Sequence, residues 1–535
     1  MAGMHRVSLR RQTLRHLAVY SVANVLGRLV SFLMLPFYAH IFKAEGYGVI
    51  ALIDASIGFL SVAFASGSYN AIMKVYHEEP ESRKPLVIST GIWIVWGLSL
   101  LCIPLPVLIS PWISVLVLGD NAYWFLIVLA LITFVVDMGG QSASTFLVIR
   151  QRSALYSAVN LLRLILGLTL NIVLVVYLQI GLIGIFISSL VSASAASLIF
   201  HWVAIREHGL CYDPKIGQKL REFWFPLIPG ELFSYASRQA ERFLVRFLIS
   251  LEGVGILEMA YKFPPLLNLF IVHPFMRAWG TKSLEIGPQP DAPKEIGSIF
   301  TLYIFLTLFG AVFMAANIGS VLKIMTPPEF WPAVSIARID IATTVMAAAN
   351  AYLVFGLLYS KQTHTITQIR MIAAVIKIGL SAIFILVAGL AGAAYSALVM
   401  EVIVLIWIFN KAQHAYRLVL EYRKIIVLGG FAIMLVVFVD YVPEFASELL
   451  NWIELVVFDN LIAFLSNTPL AAWRSGKLIE TLSNRTTQFA HLLVSCCLCM
   501  FYGLLIFVVK PELLGRFYKI HILRPAIQTI RRKAE

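Results

Sequence analysis

Apolar runs of about 18 to 25 residues recur along almost the whole of this 535-residue chain, and nothing else in the sequence limits its fold so severely. A run of that length crosses a hydrocarbon core of roughly 30 Å as a helix, which satisfies every backbone N–H and C=O internally where no water is available. Composition agrees, with 59% hydrophobic and 13% charged residues against about 45–50% and about 25% in soluble domains. A soluble multidomain enzyme is excluded. The chain reads as an all-α polytopic membrane protein.

Hydropathy predicts about 14 transmembrane helices, the first two at 18–41 and 49–72, the seventh and eighth at 224–249 and 254–276, and the last two at 425–442 and 490–509. The formal net charge of +13 does not call for a nucleic-acid partner, because the basic residues sort by loop. With the N-terminus inside, 29 of the 42 lysines and arginines fall on the cytoplasmic side, and only Lys43, Lys323, Arg474, Lys477 and Arg485 fall outside. That asymmetry puts both termini in the cytoplasm. Met1 to Arg15 holds four arginines and leads into an apolar stretch of full span length, so it is read as preceding an uncleaved first span.

Residues 443–489 form the long outer insertion. Within it Leu449–Leu465 is apolar but carries Glu454 and Asp459, and a central carboxylate costs about 2.5–3.5 kcal/mol on insertion scales. The segment is expected to lie on the outer surface as one or two amphipathic helices, with Trp452 and Trp473 at headgroup level. The Cys496-Cys497-Leu498-Cys499 cluster stands among apolar residues with no nearby histidine and is read as packing, so no metal site is expected.

One internal match reports architecture. Glu45-Gly46-Tyr47-Gly48 recurs as Glu252-Gly253-Val254-Gly255, at an offset of 207 residues and six spans. An even number of spans leaves both copies with one orientation, related by an axis along the membrane normal. Glycines of this kind are expected where a tight connection needs positive φ. The division that follows is an N-terminal lobe at 1–207, a basic linker at 208–222, and a C-terminal lobe at 223–424. Residues 425–535 then hold two extra spans, the insertion and a basic tail. The two lobes make six helices each, in a parallel pseudo-two-fold repeat.

Tyr20-x3-Asn24, Pro36-Phe37-Tyr38 and Tyr47-Gly48 are followed in the second half by Pro226-Leu227-Ile228-Pro229, Glu241-Arg242-Phe243-Leu244 and Gly255-Ile256-Leu257-Glu258-Met259-Ala260-Tyr261-Lys262. In order and spacing this resembles the bacterial polysaccharide transporter family. That family holds the O-antigen and exopolysaccharide repeat-unit flippases, within the multidrug, oligosaccharidyl-lipid and polysaccharide exporter superfamily. Two departures stand out: Glu241 where the family more often has aspartate, and the 443–489 insertion. The resemblance implies a multi-pass protein of the bacterial inner membrane. The implied substrate is an undecaprenyl-pyrophosphate-linked oligosaccharide, moved from the inner to the outer leaflet by alternating access, and a polysaccharide polymerase or export machinery is the implied partner.

Ionisable residues inside spans are expensive unless paired or facing water, so they mark candidate sites. Span seven carries Arg238, Arg242 and Arg246 at four-residue spacing, a cationic stripe that lipid would not tolerate. Arg28 gives span one a similar polar stripe with Tyr20 and Asn24. Arg246 near an outer end reads as a snorkelling group. Arginine binds phosphate oxygens bidentately, so Arg28, Arg238, Arg242, Lys262 and Lys377 are the expected pyrophosphate contacts. Asn268, His273 and Tyr352 are expected at the sugar. Asp54, Asp137 and Glu258 are candidates for proton or sodium coupling, since protonation of a carboxylate releases a basic partner. No nucleotide loop is present and no cofactor is expected. The competing readings are a cation-coupled multidrug exporter, disfavoured by the arginines, and a polytopic polymerase or ligase, disfavoured because the one large outer loop lacks clustered acid–base groups.

Overall fold

The computed structural model describes residues 27, 32, 34–65, 67–102 and 104–445. Tyr20, Asn24 and Arg28, the insertion from residue 446, the 490–509 span, the Cys496–Cys499 cluster and the basic tail lie outside the described residues. Among the described residues every regular element is a helix, and nine are long and apolar enough to cross a membrane. The protein is an all-α polytopic membrane protein. By internal contacts it resolves into two compact units, Met1–Glu258 and Met259–Glu535.

In the first unit, helices Trp124–Ile149 and Leu182–His208 pack along most of their length, and Ser153–Asn171 and Lys84–Cys102 flank the pair. Lipid gives helices little hydrophobic reason to associate, so close packing and interhelical hydrogen bonds do that work. Here Ser197 Oγ donates to the Val136 carbonyl at 2.9 Å, and the Trp96 indole N–H donates to His201 Nε2 at 2.8 Å. Helix Ile228–Leu248 packs on Leu35–Ala65.

The Leu35–Ala65 helix is broken at Lys43 (φ 55°, ψ −174°), which separates the end of span one from span two. Span two ends earlier than hydropathy suggests. Ala65 closes the helix, and Ser68–Glu78 forms a separate amphipathic helix beyond Gly67 at φ 91°. That helix packs against the linker helix Pro214–Trp224. Asp213 caps the linker helix by accepting from the Lys215 and Ile216 amides, and Arg83 holds the same carboxylate at 2.5 Å. The Arg83 hydrogen bond keeps the Asp213 carboxyl below its ordinary range. Lys219 meets Glu79 at 2.5 Å.

The two Glu-Gly-x-Gly copies touch each other within the first unit. A Cβ built on Gly48 would stand 2.1 Å from the Leu251 carbonyl oxygen, and one on Gly255 would stand 1.8 Å from the Ala44 carbonyl oxygen. Ala44 and Leu251 are themselves 207 residues apart, so the contact is reciprocal, as at a two-fold interface. The expected role for these glycines was a turn at positive φ. None of the four adopts it, and the left-handed residue at the first connection is Lys43. The glycines sit in the helices that follow the connections, where a missing side chain lets backbone meet backbone.

The second unit is built around an aromatic core. Trp279 stacks on Tyr352 with centroids 5.1 Å apart and planes 7° apart, Tyr303 stacks on Tyr352 at 5.5 Å, and Phe275 on Tyr303 at 4.5 Å. Helices His273–Ile286, Ala292–Met325 and Ala333–Leu353 carry these rings, and Thr363–Ala388 and Leu390–Ala415 complete the core with aliphatic side chains. Span eight, expected as one helix, is interrupted: Leu251–Ala260 stops, a turn covers Tyr261 to Phe263, and helix resumes from Pro264. Pro264 and Pro265 lack the amide hydrogens that would continue the ladder.

Candidate functional site

Helix Ile228–Leu248 bears Glu231, Arg238, Glu241, Arg242 and Arg246 in 21 residues. Its three arginines end in three different environments. Arg246 is half-buried and donates from Nε to the Val117 carbonyl at 2.9 Å. Arg238 is exposed, donates to Ser234 Oγ at 2.7 Å and lies 5.8 Å from the centre of the Tyr235 ring. Arg242 binds Glu258 Oε2 through both Nε at 2.9 Å and Nη2 at 2.7 Å, while its Nη1 donates to Gln239 Oε1 at 2.6 Å. The side chains of Arg242 and Glu258 retain only 17% and 15% of their exposure.

Taking a guanidinium and a carboxylate out of water costs several kcal/mol per ion unless geometry and extra hydrogen bonds repay it. Gln239 supplies one such bond to Arg242. Charge on Glu258 is also felt at the buried Tyr47. Two donors of one guanidinium aimed at a single oxygen form the fork that a phosphoryl oxygen also fits. The Glu258 carboxylate therefore occupies Arg242 in the way a phosphate would.

Tyr235 fastens this helix to its neighbour. Its hydroxyl donates to the Ala55 carbonyl at 3.1 Å, an approach that needs Gly58, since a Cβ there would stand 1.9 Å from the hydroxyl oxygen. The charges of Arg242, Asp54 and Arg238 converge on Tyr235, and Gln239 is hydrogen-bonded to it. Thus Arg238, Arg242 and Asp54, three residues singled out from sequence, gather around a tyrosine and a glutamine that the sequence reading passes over, and Glu258, a fourth, joins them through Arg242. The signal existed: Tyr235, Gln239 and Arg242 recur at i, i+4 and i+7, one face of a helix.

Asp137 is elsewhere in the first unit, paired with Arg163 at 2.5 Å, with 29% and 35% of the two side chains exposed. In the second unit Lys262 is exposed in the turn that interrupts span eight, and Asn268 is half-buried at the start of the wide helical turn Asn268–Val272. His273 is exposed at the start of helix His273–Ile286, and Lys377 is half-buried in Thr363–Ala388. Tyr352 is placed differently from the expectation of a sugar contact. It is fully buried in the aromatic core, and its hydroxyl donates to the Ile296 carbonyl at 2.9 Å. An aromatic residue on an apolar helix serves packing here.

The fold is shared with solved membrane carriers. It matches the lipid II flippase MurJ in an inward closed conformation with a TM-score of 0.65 at 13% identity, covering 92% of this chain and 99% of that one. Inward- and outward-facing multidrug resistance MATE family transporters of the MOP superfamily match with TM-scores of 0.51. Their identities are 14% and 12%, over 77% of this chain and 95% and 96% of theirs. At these identities the likeness is one of fold, that of a multi-pass, all-helical membrane protein. No curated protein matches the chain by sequence. A family model described as polysaccharide biosynthesis protein matches residues 13–279.

Proposed function

We propose that this chain is a carrier rather than an enzyme. It would move an anionic undecaprenyl-pyrophosphate-linked oligosaccharide from the inner to the outer leaflet of the bacterial inner membrane, with both termini in the cytoplasm. The observation that carries this reading is Arg242, held within a membrane helix by one carboxylate oxygen of Glu258 and by Gln239. The fold shared with a lipid II flippase and the match of residues 13–279 to a polysaccharide biosynthesis family model support it.

In the proposed cycle a pyrophosphate oxygen displaces Glu258 from the Arg242 fork. Arg238 adds charge, and Arg28, Lys262 and Lys377 complete the cationic path. Asn268 and His273 meet sugar hydroxyls. Protonation of Glu258 neutralises the competitor and frees the guanidinium, which couples phosphate capture to a proton gradient. Asp54 is the second coupling carboxylate, and Asp137, already paired with Arg163, is the third. A sodium ion at any of these carboxylates is the other form of the same coupling. Alternating access of two six-helix lobes, 1–207 and 223–424, carries the headgroup across. The outer insertion 443–489 is the proposed contact for a polymerase.

The test is made in cells lacking the protein. Lipid-linked oligosaccharide accumulating in the inner leaflet, with loss of surface polysaccharide, is the expected result. Accumulation in the outer leaflet would mean that flipping proceeds without this chain and would favour a polymerase or ligase.

A further inference from the structure

A cavity of about 380 Å³ lies between helices Leu35–Ala65 and Ile228–Leu248, lined by Ala55, Ser56, Phe59, Tyr235, Ala236, Gln239 and Phe243. That volume is within the range of small-molecule sites, roughly 300–1,000 Å³. Three of the lining residues are polar, and all three are engaged within the protein. Ser56 Oγ donates to the Leu52 carbonyl at 2.8 Å, the Tyr235 hydroxyl donates to the Ala55 carbonyl, and Gln239 accepts from Arg242 and is bonded to Tyr235. What these walls offer a guest is two phenyl rings, two alanine methyls and the ring of Tyr235.

A sugar placed here would leave its hydroxyls without partners, at roughly 1–3 kcal/mol for each buried group. A hydrocarbon loses nothing. The cavity also has a charged neighbour, because Gln239 in its wall is hydrogen-bonded to Arg242 and Tyr235 in its wall lies under Arg238. Phe59 keeps 44% of its exposure, so the cavity has a side reachable from outside the helix pair.

We infer that this cavity receives the first isoprene units of a polyprenyl diphosphate, with the diphosphate at Arg242 and Arg238. The inference rests on the phosphate-binding reading of Arg242 given above and assigns it a second half. The part of the lipid tail next to the headgroup is held by protein, and only the remainder stays in the bilayer. Recognition then depends on an apolar chain and a diphosphate joined at the spacing of Phe243 and Arg242.

The experiment measures binding of farnesyl diphosphate and inorganic diphosphate to the purified full-length protein, with Ala236→Trp and Phe59→Ala variants beside the wild type. Farnesyl diphosphate is expected to bind at least tenfold more tightly than inorganic diphosphate. Ala236→Trp fills the cavity and is expected to erase that difference while leaving inorganic diphosphate affinity unchanged. Phe59→Ala, at a position that keeps 44% of its exposure, is expected to reduce the difference severalfold. A farnesyl advantage that survives both variants overturns the assignment. Inorganic diphosphate binding with no farnesyl advantage in the wild type also overturns it, while leaving the phosphate site standing. Failure of both ligands to bind the wild type removes the phosphate reading and this inference together.

Discussion

Helix Ile228–Leu248 in the first unit and the Trp279–Tyr303–Tyr352 core in the second both place polar atoms inside apolar surroundings, and they treat them in opposite ways. The core gives the Tyr352 hydroxyl a backbone carbonyl as acceptor and seals it between rings. The helix gives Arg242 a carboxylate and an amide side chain, and that amide, Gln239, lines a cavity. A carbonyl does not titrate and does not leave its helix. A carboxylate can be neutralised, and it can be displaced by another anion. The difference teaches where exchange is built in: polar groups bonded to backbone fix the fold, and those bonded to ionisable side chains are free to change partner.

The contrast breaks most sharply at Arg242. Arg242→Ala is expected to lower flipping in proteoliposomes by tenfold or more at normal protein levels, because Glu258 loses its counter-ion and the substrate its fork. Glu258→Gln tests the same pair from the other side. It should preserve phosphate binding and flatten the pH dependence, and an unchanged pH profile would remove Glu258 from coupling. Tyr352→Ala should instead destabilise the second unit by about 3 kcal/mol, as large-to-small changes in tightly packed sites do. Tyr352→Phe should lose only about 1 kcal/mol, one hydrogen bond. Transport per folded molecule should survive both. A selective loss of transport in Tyr352→Phe would return that residue to the sugar site.

Gly255→Val adds side-chain volume where the Ala44 carbonyl oxygen already blocks a Cβ. Overpacking of about 1–3 kcal/mol is expected as a lowered melting temperature, and an unchanged melt would mean that the two glycine motifs separate freely.

The smallest effect concerns the linker. Arg83 holds the Asp213 carboxyl below its ordinary value of 3.8, so the docking it contributes is complete above that value. It is lost as pH falls through the lower folded-state value. Protease protection of Pro214–Trp224 that declines only in that acid window, and that is already weakened at neutral pH in Asp213→Asn, is the expected pattern.

Much of this was legible in the sequence, and the exceptions have physical reasons. Span length gave the fold class because a bilayer leaves helices little choice. The arginine spacing identified the polar helix, since four-residue steps put side chains on one face whatever surrounds them. The separate fates of Arg238, Arg242 and Arg246 depend on what distant backbone and side chains offer, Val117 in one case and Glu258 in another, and no local spacing encodes that. The repeat of Gly48 at Gly255 is visible in the sequence but its reason is not, because a glycine needed for a turn and one needed for contact look alike in one dimension. Pro264-Pro265 announced the interruption of span eight, but the surrounding hydropathy masked it.

The reciprocal contact of the two glycine motifs also bears on how the chain is made. Ala44 and Gly48 leave the ribosome long before Leu251 and Gly255. At roughly 5–20 residues per second, the 207 intervening residues take on the order of ten to forty seconds. Through that interval the first motif lies in the membrane with its partner unborn. The nascent N-terminal half is an unfinished surface, and it closes only when the second copy of its own sequence arrives. Completion of the first unit, Met1–Glu258, is therefore a wait for its own last segment.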